Sequence, residues 1–467
     1  MNAKMMAIIN GNIYLDISKK LFENYLNYYY RDIGFKNTAE INQSLVIETD
    51  NLSLLVSNII HLIVNIIIVL LIYLYMFYID LILTTLISVT ILILAYLYRI
   101  LLINKFTRMG NERLNAVNSY MKLIKSTFSN YKFVKSTSTN YINNDLQIKT
   151  SNYKRTRSEM IFWSEVPRLI LEFIVIVLML FILAFIKIKY EQADSLLFIV
   201  SVYALSLFRM LPSFSKIINS LNIINMYKSS LNTLHLDFDR RKEVSSTSAI
   251  SFKNSIKLSN IIYKYDEDNV LSDLSFIINK YDKIAIVGES GSGKSTLLDI
   301  LIGLHLPNFG DFTVDNTIID NNNIVAWRQN ASFVPQKVVL FESSIEENIT
   351  FGKEYDEKLM KEVLEDVFMY DVVMSKGGLD TQIGDEVSGF SGGQMQRLAL
   401  ARALYQEKDI LFLDEATSSL DEEVEILIID NLLLKYKEKT IISIVHKDSV
   451  AKKFDRVIRI DNGNIIE

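Results

Sequence analysis

The sequence has no cysteine among its 467 residues, which excludes disulfides, thiolate chemistry and cysteine-based metal sites. It has no strong charge imbalance either, and the formal net charge of −5 gives no sign of nucleic-acid binding. We find no internal repeat of useful period, and the apolar stretch Met5–Ile9 is too short, and starts with too little positive charge, for a signal peptide. The absence of cysteine fits a protein whose bulk faces the reducing cytosol.

Hydrophobic residues are abundant and unevenly distributed. They make up 50% of the chain, and the mean hydropathy is +0.21. The first half is apolar, aromatic and rich in asparagine, whereas the second half resembles an ordinary soluble α/β domain. We therefore predict a membrane domain at 1–236, a serine- and charge-rich linker at 237–251 and a soluble domain at 252–467.

Four apolar segments approach the length of about 20 residues that a helix needs to cross a bilayer core. They lie at 55–79, 81–103, 169–186 and 195–211. Asp80 separates the first two, which predicts a tight helical hairpin. Many lysines and arginines at 104–165 place that region in the cytosol by the positive-inside rule. The sequence thus predicts a four-span helical bundle with both chain ends in the cytosol, and long cytosolic helices over 12–50 and 104–165. The alternative for each span is a buried helix of a soluble protein.

A glycine-rich segment lies between the apolar run 284–287 and a helical pattern at 296–302. Strand, glycine-rich loop and helix in this order predict a phosphate-binding P-loop rather than a plain turn. Its glycines allow backbone N–H groups to converge on phosphates, while Lys294 reaches the outer phosphates and the Ser295 hydroxyl ligates Mg²⁺. The predicted ATP-binding residues here are Gly288, Glu289, Ser290, Gly291, Ser292, Gly293, Lys294, Ser295 and Thr296.

Two carboxylates follow the apolar run 410–413. This pattern predicts a buried strand that delivers acidic side chains to its carboxyl edge beside the P-loop. Asp414 is predicted to hold Mg²⁺, and Glu415 to polarise the attacking water as general base. Either carboxylate alone could instead cap a helix.

A second helix start rich in small residues occurs at Ser391, Gly392, Gly393 and Gln394, just before the helical pattern 395–404. Its free N–H groups would form another anion site. A second such site would be redundant within one domain, so we predict that it serves a nucleotide held by another copy of the chain.

The sequence Ser391–Gln394 resembles the signature of ABC transporter ATPases, and the other elements of that family follow in order across 252–467. The resemblance implies an α/β P-loop NTPase domain of ABC type that uses ATP and Mg²⁺. It implies that Tyr265 stacks on adenine, that Gln336 contacts Mg²⁺ and senses the membrane domain, and that His446 contacts the γ-phosphate.

Two further segments follow the family pattern. The loop Ser418–Asp421 matches the loop that couples the two ATP sites, so the resemblance assigns Asp421 to the ATP site. Residues 379–388 resemble the exporter segment that contacts the cytosolic helices just before the signature.

A membrane domain fused ahead of the ATPase resembles the exporter branch of the family. The passages Val166–Glu172 and Ala204–Ile218, and the chain end Gly463–Glu467, look like those of flippases that turn lipid-linked oligosaccharides across the bacterial inner membrane. The resemblance implies a homodimer in the inner membrane with its ATPase domain in the cytoplasm and an amphipathic lipid substrate. Another lipid, or a hydrophobic small molecule, is the alternative cargo.

Three basic residues are candidates for contact with a lipid headgroup. Arg209 and Lys216 are seven residues apart and so lie near one helix face, although Pro212 is expected to kink the helix. Such a stripe would suit a pyrophosphate, and the alternative is snorkelling of basic side chains at a helix end. Arg168 is the third candidate. Glu172 lies four residues later, one helical turn away, so its carboxylate is expected to neutralise the charge of Arg168.

The span count departs from the family pattern. Exporters of this type have six spans per subunit, whereas this sequence predicts four. The resemblance places the first residue near the end of the family's second span, with 21–51 as the coupling region. Three explanations of this difference stay open. The start of the sequence is misassigned, the gene is a truncated copy, or a separate chain supplies the two missing helices. A membrane ATPase that hydrolyses ATP without translocation is therefore a second functional hypothesis.

Overall fold

A computed structural model describes residues 3–33, 38–137, 139–189, 193–243, 249–265, 268–384, 389–418 and 420–466. The chain divides into two compact units. The first contains Met1–Tyr28 and Asp32–Arg241, and the second contains Tyr29–Arg31 and Lys242–Glu467. The predicted linker falls in part, at 244–248, outside the described residues.

The N-terminal half of the chain is helical. Its helices are α1 (Ala3–Leu26), α2 (Tyr30–Ile33), α3 (Thr38–Asn42), a π-helix (Gln43–Glu48), α4 (Thr49–Ile79), α5 (Leu81–Ser129), α6 (Tyr131–Ser136), α7 (Asn140–Lys189) and α8 (Ala193–Asp239). Helices α4, α5, α7 and α8 are long because runs of isoleucine, leucine and valine continue into polar extensions that keep helical propensity.

Within the described residues, three helical stretches are long and apolar enough to cross a membrane: Thr38–Ile79, Asn140–Ala184 and Phe198–Asp239. A shorter apolar stretch covers Leu81–Thr90. The rest of the predicted second span has side chains that lie mostly outside the described set, at 91–95 and 97–104. The helical membrane region is confirmed, and the number of four spans stays a prediction.

Asp80 alone separates α4 from α5. Its backbone is extended, with φ −144°, and its carboxylate accepts hydrogen bonds from the N–H groups of Ile82 and Leu83, both at 3.0 Å. The side chain thus caps the start of α5 by satisfying two N–H groups that lack helical partners. The predicted break between the two helices at this residue is confirmed.

The prediction of long helical structure throughout 12–50 is wrong in part, because α1 ends at Leu26 and only short helices precede α4. Tertiary contacts favour the break. The Tyr25 hydroxyl donates to the Asp237 carboxylate at 2.8 Å, and the Tyr28 hydroxyl donates to the backbone carbonyl of the same residue. These bonds offset the loss of helical hydrogen bonds after Leu26. Over 104–165 the long helices are present, interrupted by α6.

The π-helix carries a fully buried carboxylate, Glu48. Four side chains bond to it: Gln43 at 3.0 Å, Asn51 at 3.2 Å, Arg113 at 3.3 Å and Ser230. A buried charge is tolerated because it is paired and its oxygens are hydrogen-bonded. This cluster joins α4, α5 and α8 with the π-helix inside the first unit.

The second unit alternates strands and helices. Its strands are β1 (Ser255–Tyr265), β2 (Asp268–Asn279), β3 (Lys283–Gly288), β4 (Phe309–Val314), β5 (Thr317–Ile318), β6 (Ala331–Val334), β7 (Ser343–Ser344), β8 (Gln382–Ile383), β9 (Ile410–Asp414), β10 (Thr440–Ile444), β11 (Arg456–Asp461) and β12 (Asn464–Ile466). Its helices are α9 (Lys294–Ile302), α10 (Ile324–Arg328), α11 (Ile345–Thr350), α12 (Glu357–Asp366), α13 (Tyr370–Ser375), α14 (Gly392–Tyr405), α15 (Glu422–Lys435) and α16 (Asp448–Ala451).

A six-stranded sheet of order β12-β11-β3-β10-β9-β6 forms the centre of this unit. All neighbouring pairs are parallel except β11–β12. Side chains of β3 alternate between two cores: Ile284 and Ile286 pack in one, and Ala285 in the other. Burial on both faces explains the uninterrupted apolar runs. A second, antiparallel sheet has the order β2-β1-β4-β5.

The parallel arrangement positions the site. The carboxyl ends of β3, β10, β9 and β6 meet at one edge of the sheet, so the loops that follow these strands lie close together. Ligands of open α/β sheets bind at such an edge.

Candidate nucleotide-binding site

The P-loop joins β3 to α9 through glycines in conformations that side chains disfavour. Gly291 and Gly293 have φ values of +82° and +103°. A Cβ on Gly293 would lie 2.8 Å from the Leu271 side chain and 3.0 Å from the carbonyl oxygen of Val270. Glycine is therefore required here. The loop leads into the free N–H groups that begin α9, where an anion is favoured.

Lys294 lies against the loop that precedes it. Its side chain is buried, and its Nζ donates to the carbonyl oxygens of Gly288 at 2.9 Å and Glu289 at 2.6 Å. The Oγ of Ser292 is buried, and no hydrogen bond of the described residues reaches it. A phosphate oxygen would satisfy that hydroxyl, so the loop fits a phosphate group.

The predicted P-loop residues differ in their exposure. Glu289, Ser290, Gly291 and Ser295 are exposed, whereas Ser292, Gly293, Lys294 and Thr296 are buried and Gly288 is half-buried. The exposed members form the face that a nucleotide could reach.

Asp414 ends β9 beside the P-loop. Burial, together with the neighbouring charge of Glu415, raises the pKa of this carboxyl to about 6, against the opposing effects of Lys294 and a hydrogen bond from Ser295. Its Oδ1 is buried without a hydrogen-bond partner in the described part of the chain. An unpaired buried carboxylate oxygen beside a hydroxyl is the oxygen donor set that Mg²⁺ prefers, so these residues fit that metal.

Glu415 follows Asp414 with a left-handed backbone, φ +48°, which turns its side chain away from the strand direction. Gln336 Nε2 donates to Glu415 Oε2 at 2.6 Å. His446 Nε2 lies 2.5 Å from Glu415 Oε1. Each oxygen of the Glu415 carboxylate therefore has one side-chain partner, and the carboxylate is held in a single orientation.

These residues come from separate strands. Gln336 follows β6, Asp414 and Glu415 end β9, His446 follows β10, and Gly288 ends β3. In the register of the sheet, Ile444 pairs with Asp414 on one side and with Ile286 on the other. The structure thus brings the predicted catalytic and metal-binding residues to one edge of the sheet.

Ser391 caps α14. Its Oγ accepts from the N–H of Gln394 at 3.2 Å, and the Gln394 side chain accepts from the N–H of Ser391 at 2.9 Å. This capping box leaves the first-turn N–H groups of Gly392 and Gly393 without helical partners. Among the described residues, no hydrogen bond or ion pair joins this helix start to the P-loop.

Asp421 begins α15 as an exposed N-cap residue. The predicted coupling loop is described except for Ser419. Of the predicted segment 379–388, residues 385–388 lie outside the described residues.

The sequence did not single out two residues that lie beside predicted site residues, His305 beside Tyr265 and Asp299 beside Asp414. Tyr265, the predicted adenine contact, ends β1, and its Oη lies 3.1 Å from Nε2 of His305. Asp299 lies one turn after Ser295 on α9, and burial together with the charge of Asp414 raises its pKa to about 7. Neither residue belongs to a motif, although the (i, i+4) spacing of Ser295 and Asp299 was a usable signal.

The three predicted substrate residues lie in the first unit. Arg168 Nε lies 3.0 Å from Glu172 Oε1 on the exposed surface of α7, as the spacing predicts. Arg209 and Lys216 are both exposed on α8, with Pro212 inside that helix. Arg168 is thus paired, and its charge is locally balanced.

Comparison with known proteins shows what the second unit is similar to. Residues 271–418 match the family model described as ABC transporter. An ATP-dependent lipid A-core flippase of Saccharophagus degradans is 36% identical over 218 residues, which are 46% of this chain and 37% of the relative. The transport/processing ATP-binding protein ComA of Streptococcus pneumoniae is 33% identical over 261 residues, 53% of this chain and 36% of the relative. The chain spans about two-fifths of the length of such curated relatives.

A solved structure of a bacterial Atm1-family ABC exporter with ATP bound has the same fold. Its TM-score is 0.87 at 22% sequence identity, over 99% of this chain and 82% of that chain. The helical stretches that are long and apolar enough to cross a membrane lie in the first unit, ahead of the matched residues 271–418. The chain therefore has the fold of that ABC exporter, and its residues 271–418 match the ABC transporter family model.

Proposed function

We propose that two copies of this chain form an ATP-driven exporter that moves an amphipathic lipid across the bacterial inner membrane. The observation that carries the proposal is the carboxylate of Glu415, held between Gln336 and His446 beside Asp414. The similarity to lipid A-core flippases supports a lipid as the cargo. Positioned acid–base groups next to a phosphate loop are the arrangement that phosphoryl transfer to water requires.

ATP binding is assigned to the P-loop and to Tyr265. The backbone N–H groups of the loop and the Lys294 ammonium contact the phosphates, and the exposed face of Tyr265 stacks on the base. Ser295, Gln336 and Asp414 would hold Mg²⁺, which neutralises charge on the phosphates when it is bound.

Glu415 accepts a proton from the attacking water. Its two hydrogen-bonding neighbours keep one carboxylate oxygen aimed at the water, which forms a bond to the γ-phosphorus as the bond from that phosphorus to the leaving ADP oxygen breaks. His446 also reaches the γ-phosphate, where its ring nitrogen stabilises developing negative charge. Gln336 links this carboxylate to the metal-binding side of the site.

A second copy completes each site. Within the described part of the chain, no hydrogen bond joins the first-turn N–H groups of Gly392 and Gly393 to the P-loop, so we assign them, with Ser391 and Gln394, to the nucleotide of the partner. Asp421 lies at an exposed helix start and is assigned to the contact between the two sites. The arrangement is a homodimer with two shared ATP sites.

For the cargo we propose a lipid-linked oligosaccharide. Arg209 and Lys216 are exposed on α8, no ion pair of the described residues includes either, and their positive charge would stabilise a pyrophosphate headgroup. Arg168 contributes less because Glu172 neutralises it at 3.0 Å. A different lipid or a hydrophobic small molecule is the alternative cargo, and a membrane ATPase without transport is the alternative function.

Reconstituted vesicles test the proposal. The full chain would be placed in liposomes with a lipid-linked oligosaccharide, a lipid A-core glycolipid or a fluorescent phospholipid, and ATP hydrolysis and translocation would be recorded together. We expect ATP-dependent translocation of the lipid-linked oligosaccharide and stimulation of ATP turnover by that lipid, with both lost in Glu415→Gln. Translocation of another lipid alone would reject the cargo. ATP turnover without translocation of any lipid would reject the transport function.

A further inference from the structure

We propose that His305 is a positioning residue for adenine binding: it fixes the ring of Tyr265 through the tyrosine hydroxyl and so pre-forms the surface on which the base stacks. The inference rests on the proposed ATP site and adds a residue that none of the nucleotide motifs contains. His305 lies 40 residues beyond Tyr265.

His305 lies inside a group of aromatic rings. Its ring centroid is 5.2 Å from that of Tyr263, 5.8 Å from that of Tyr265 and 5.5 Å from that of Tyr30. Tyr263 and Tyr265 are themselves 5.0 Å apart and nearly perpendicular. We call Tyr30, Tyr263, Tyr265 and His305 the aromatic cluster. His305 is only 6% exposed, so its ring is fixed by packing from several sides.

Backbone hydrogen bonds at the end of α9 also hold His305 in place. Gly303 ends α9 in the left-handed conformation, with φ +87°. The N–H groups of Gly303, Leu304 and His305 then donate to the carbonyl oxygen of Asp299 at 3.1, 2.8 and 3.3 Å. This termination satisfies the last carbonyls of the helix and turns the imidazole towards the end of β1.

The chemistry of the imidazole suits this role. Burial, with the nearby positive charge of Arg31, lowers the pKa of His305 to about 4, so the ring is neutral in the physiological range. A neutral imidazole has one acceptor nitrogen, and the Tyr265 hydroxyl, 3.1 Å from Nε2, can donate to it. Among the described residues, the rings of Tyr30, Tyr263 and Tyr265 contact His305, and Arg31 is the charge that acts on it. The Asp299 carboxyl acts on Tyr30 and Tyr263 of the same cluster.

Tyr265 is well placed for a base because it is 40% exposed while its hydroxyl is bonded. The exposed part of the Tyr265 ring is available to a base, and the hydroxyl of the same ring is held by His305. A stacking ring that is already oriented loses less conformational entropy when the base binds. His305 would therefore change nucleotide affinity and leave the chemistry at Glu415 unchanged.

Tyr30 closes the other side of the histidine. The segment Tyr29–Arg31 belongs to the second unit, although its neighbours in sequence on both sides belong to the first. The Tyr30 ring meets His305 edge to face, with an interplanar angle of 60°. Removal of this ring would expose His305 and loosen the cluster, with a smaller effect than removal of the imidazole.

The test measures equilibrium binding of AMP-PNP and steady-state ATP hydrolysis by the full chain in nanodiscs. His305→Ala is expected to raise the Kd for AMP-PNP and the KM for ATP about tenfold, within the range of base stacking on an aromatic ring, and to leave kcat within about twofold. His305→Gln, whose amide can take the place of Nε2 towards Tyr265, is expected to retain affinity within about threefold. Tyr29→Ala is the control, because it removes a neighbouring tyrosine and leaves the ring contacts of His305 intact.

A double-variant cycle separates positioning from general packing. Tyr265→Phe keeps the stacking ring and loses the hydroxyl, so it should weaken affinity about as much as His305→Ala does. In the Tyr265→Phe background, His305→Ala should then add less than about twofold. Independent, multiplying effects would overturn the inference, as would equal loss of kcat in His305→Ala and His305→Gln.

The outcomes also separate this inference from the proposed function. Parent affinity in His305→Ala would reject the role of His305 and leave the ATP site in place. A parent chain that binds no AMP-PNP would reject the ATP site itself, and the role of His305 with it.

Discussion

The two units bury apolar side chains in opposite ways. In the second unit, apolar side chains such as Ile286 and Ala285 lie buried on both faces of the central sheet. In the first, large apolar side chains face outwards: Leu74 on α4 is 62% exposed and Leu180 on α7 is 63% exposed. A lipid environment accounts for the second pattern, because exposed leucine in a bilayer costs nothing.

The way each unit buries its apolar side chains affects how a functional site in it can be recognised. In the second unit, parallel strands bring distant residues to one edge and hold them by hydrogen bonds, so a site is defined by its own geometry. In the apolar stretches of the first unit, the described outward surface is mostly aliphatic and aromatic, so the charged side chains beside it are the candidates for specific contact. The experiments below test the two halves of this contrast.

The largest effect is expected at Glu415. Glu415→Gln keeps the shape and removes the proton acceptor, so ATP hydrolysis should fall by about 10²–10⁴-fold while ATP binding persists. The measurement is phosphate release by the full chain at saturating ATP. Glu423→Gln makes the same chemical change on the exposed surface of α15 and should keep the parent rate. Parent activity in the Glu415 variant would contradict the catalytic assignment.

The second effect compares a buried ring with an outward leucine. Trp327 is fully buried, and its Nε1 donates to the Leu301 carbonyl oxygen at 2.8 Å. Trp327→Ala should destabilise the second unit by about 3–5 kcal/mol, which corresponds to a fall of roughly 10 °C in its unfolding temperature. Leu74→Ala should shift the unfolding temperature by no more than about 2 °C. Calorimetry of the chain in detergent gives both unfolding temperatures. Similar shifts in the two variants would contradict the proposed difference between the two units.

A third effect tests the charged side chains of the first unit. Arg209→Glu should slow lipid translocation several-fold, by about 1–2 kcal/mol, because it places a negative charge near an anionic headgroup, and should leave basal ATP hydrolysis nearly unchanged. Arg168→Gln, whose charge is already balanced by Glu172, should have a smaller effect. Both rates are read from the same vesicles. An equal fall of hydrolysis and translocation in Arg209→Glu would argue against a headgroup contact.

The smallest effect concerns pH. The pKa of His305 falls from 6.5 to about 4 in the folded protein, so the unfolded chain binds a proton first as the pH drops. The contribution of His305 to stability is therefore present above about pH 6.5 and is lost as the pH falls towards 4. Unfolding temperatures of the parent chain should decline over this interval more steeply than those of His305→Gln. Parallel declines would show that His305 is not the group that titrates.

Much of the nucleotide site could be predicted from sequence because its motifs are local. The P-loop spacing and the apolar run before Asp414 each predict a strand end with a defined chemistry. Gln336 and His446 lie 79 and 31 residues from Glu415. Their meeting was expected only from the order of the motifs, and it depends on the parallel order of β6, β9 and β10.

Other features follow from tertiary contacts that no pattern reveals. The approach of His305 to Tyr265 depends on how α9 ends, and His305 belongs to no motif. The break after Leu26 depends on hydrogen bonds from Tyr25 and Tyr28 to Asp237, which lies more than 200 residues away. The bonding of Glu48 to Arg113 and Ser230 is of the same kind. Such contacts join residues whose separation in sequence contains no information about their distance in space.

The number of chains around the trapped nucleotide tests the central claim most directly. The measurement is the mass and ATP content of Glu415→Gln particles in nanodiscs with ATP and Mg²⁺. Shared sites predict particles with two copies and two bound ATP molecules. Single copies that retain ATP under these conditions would contradict the account.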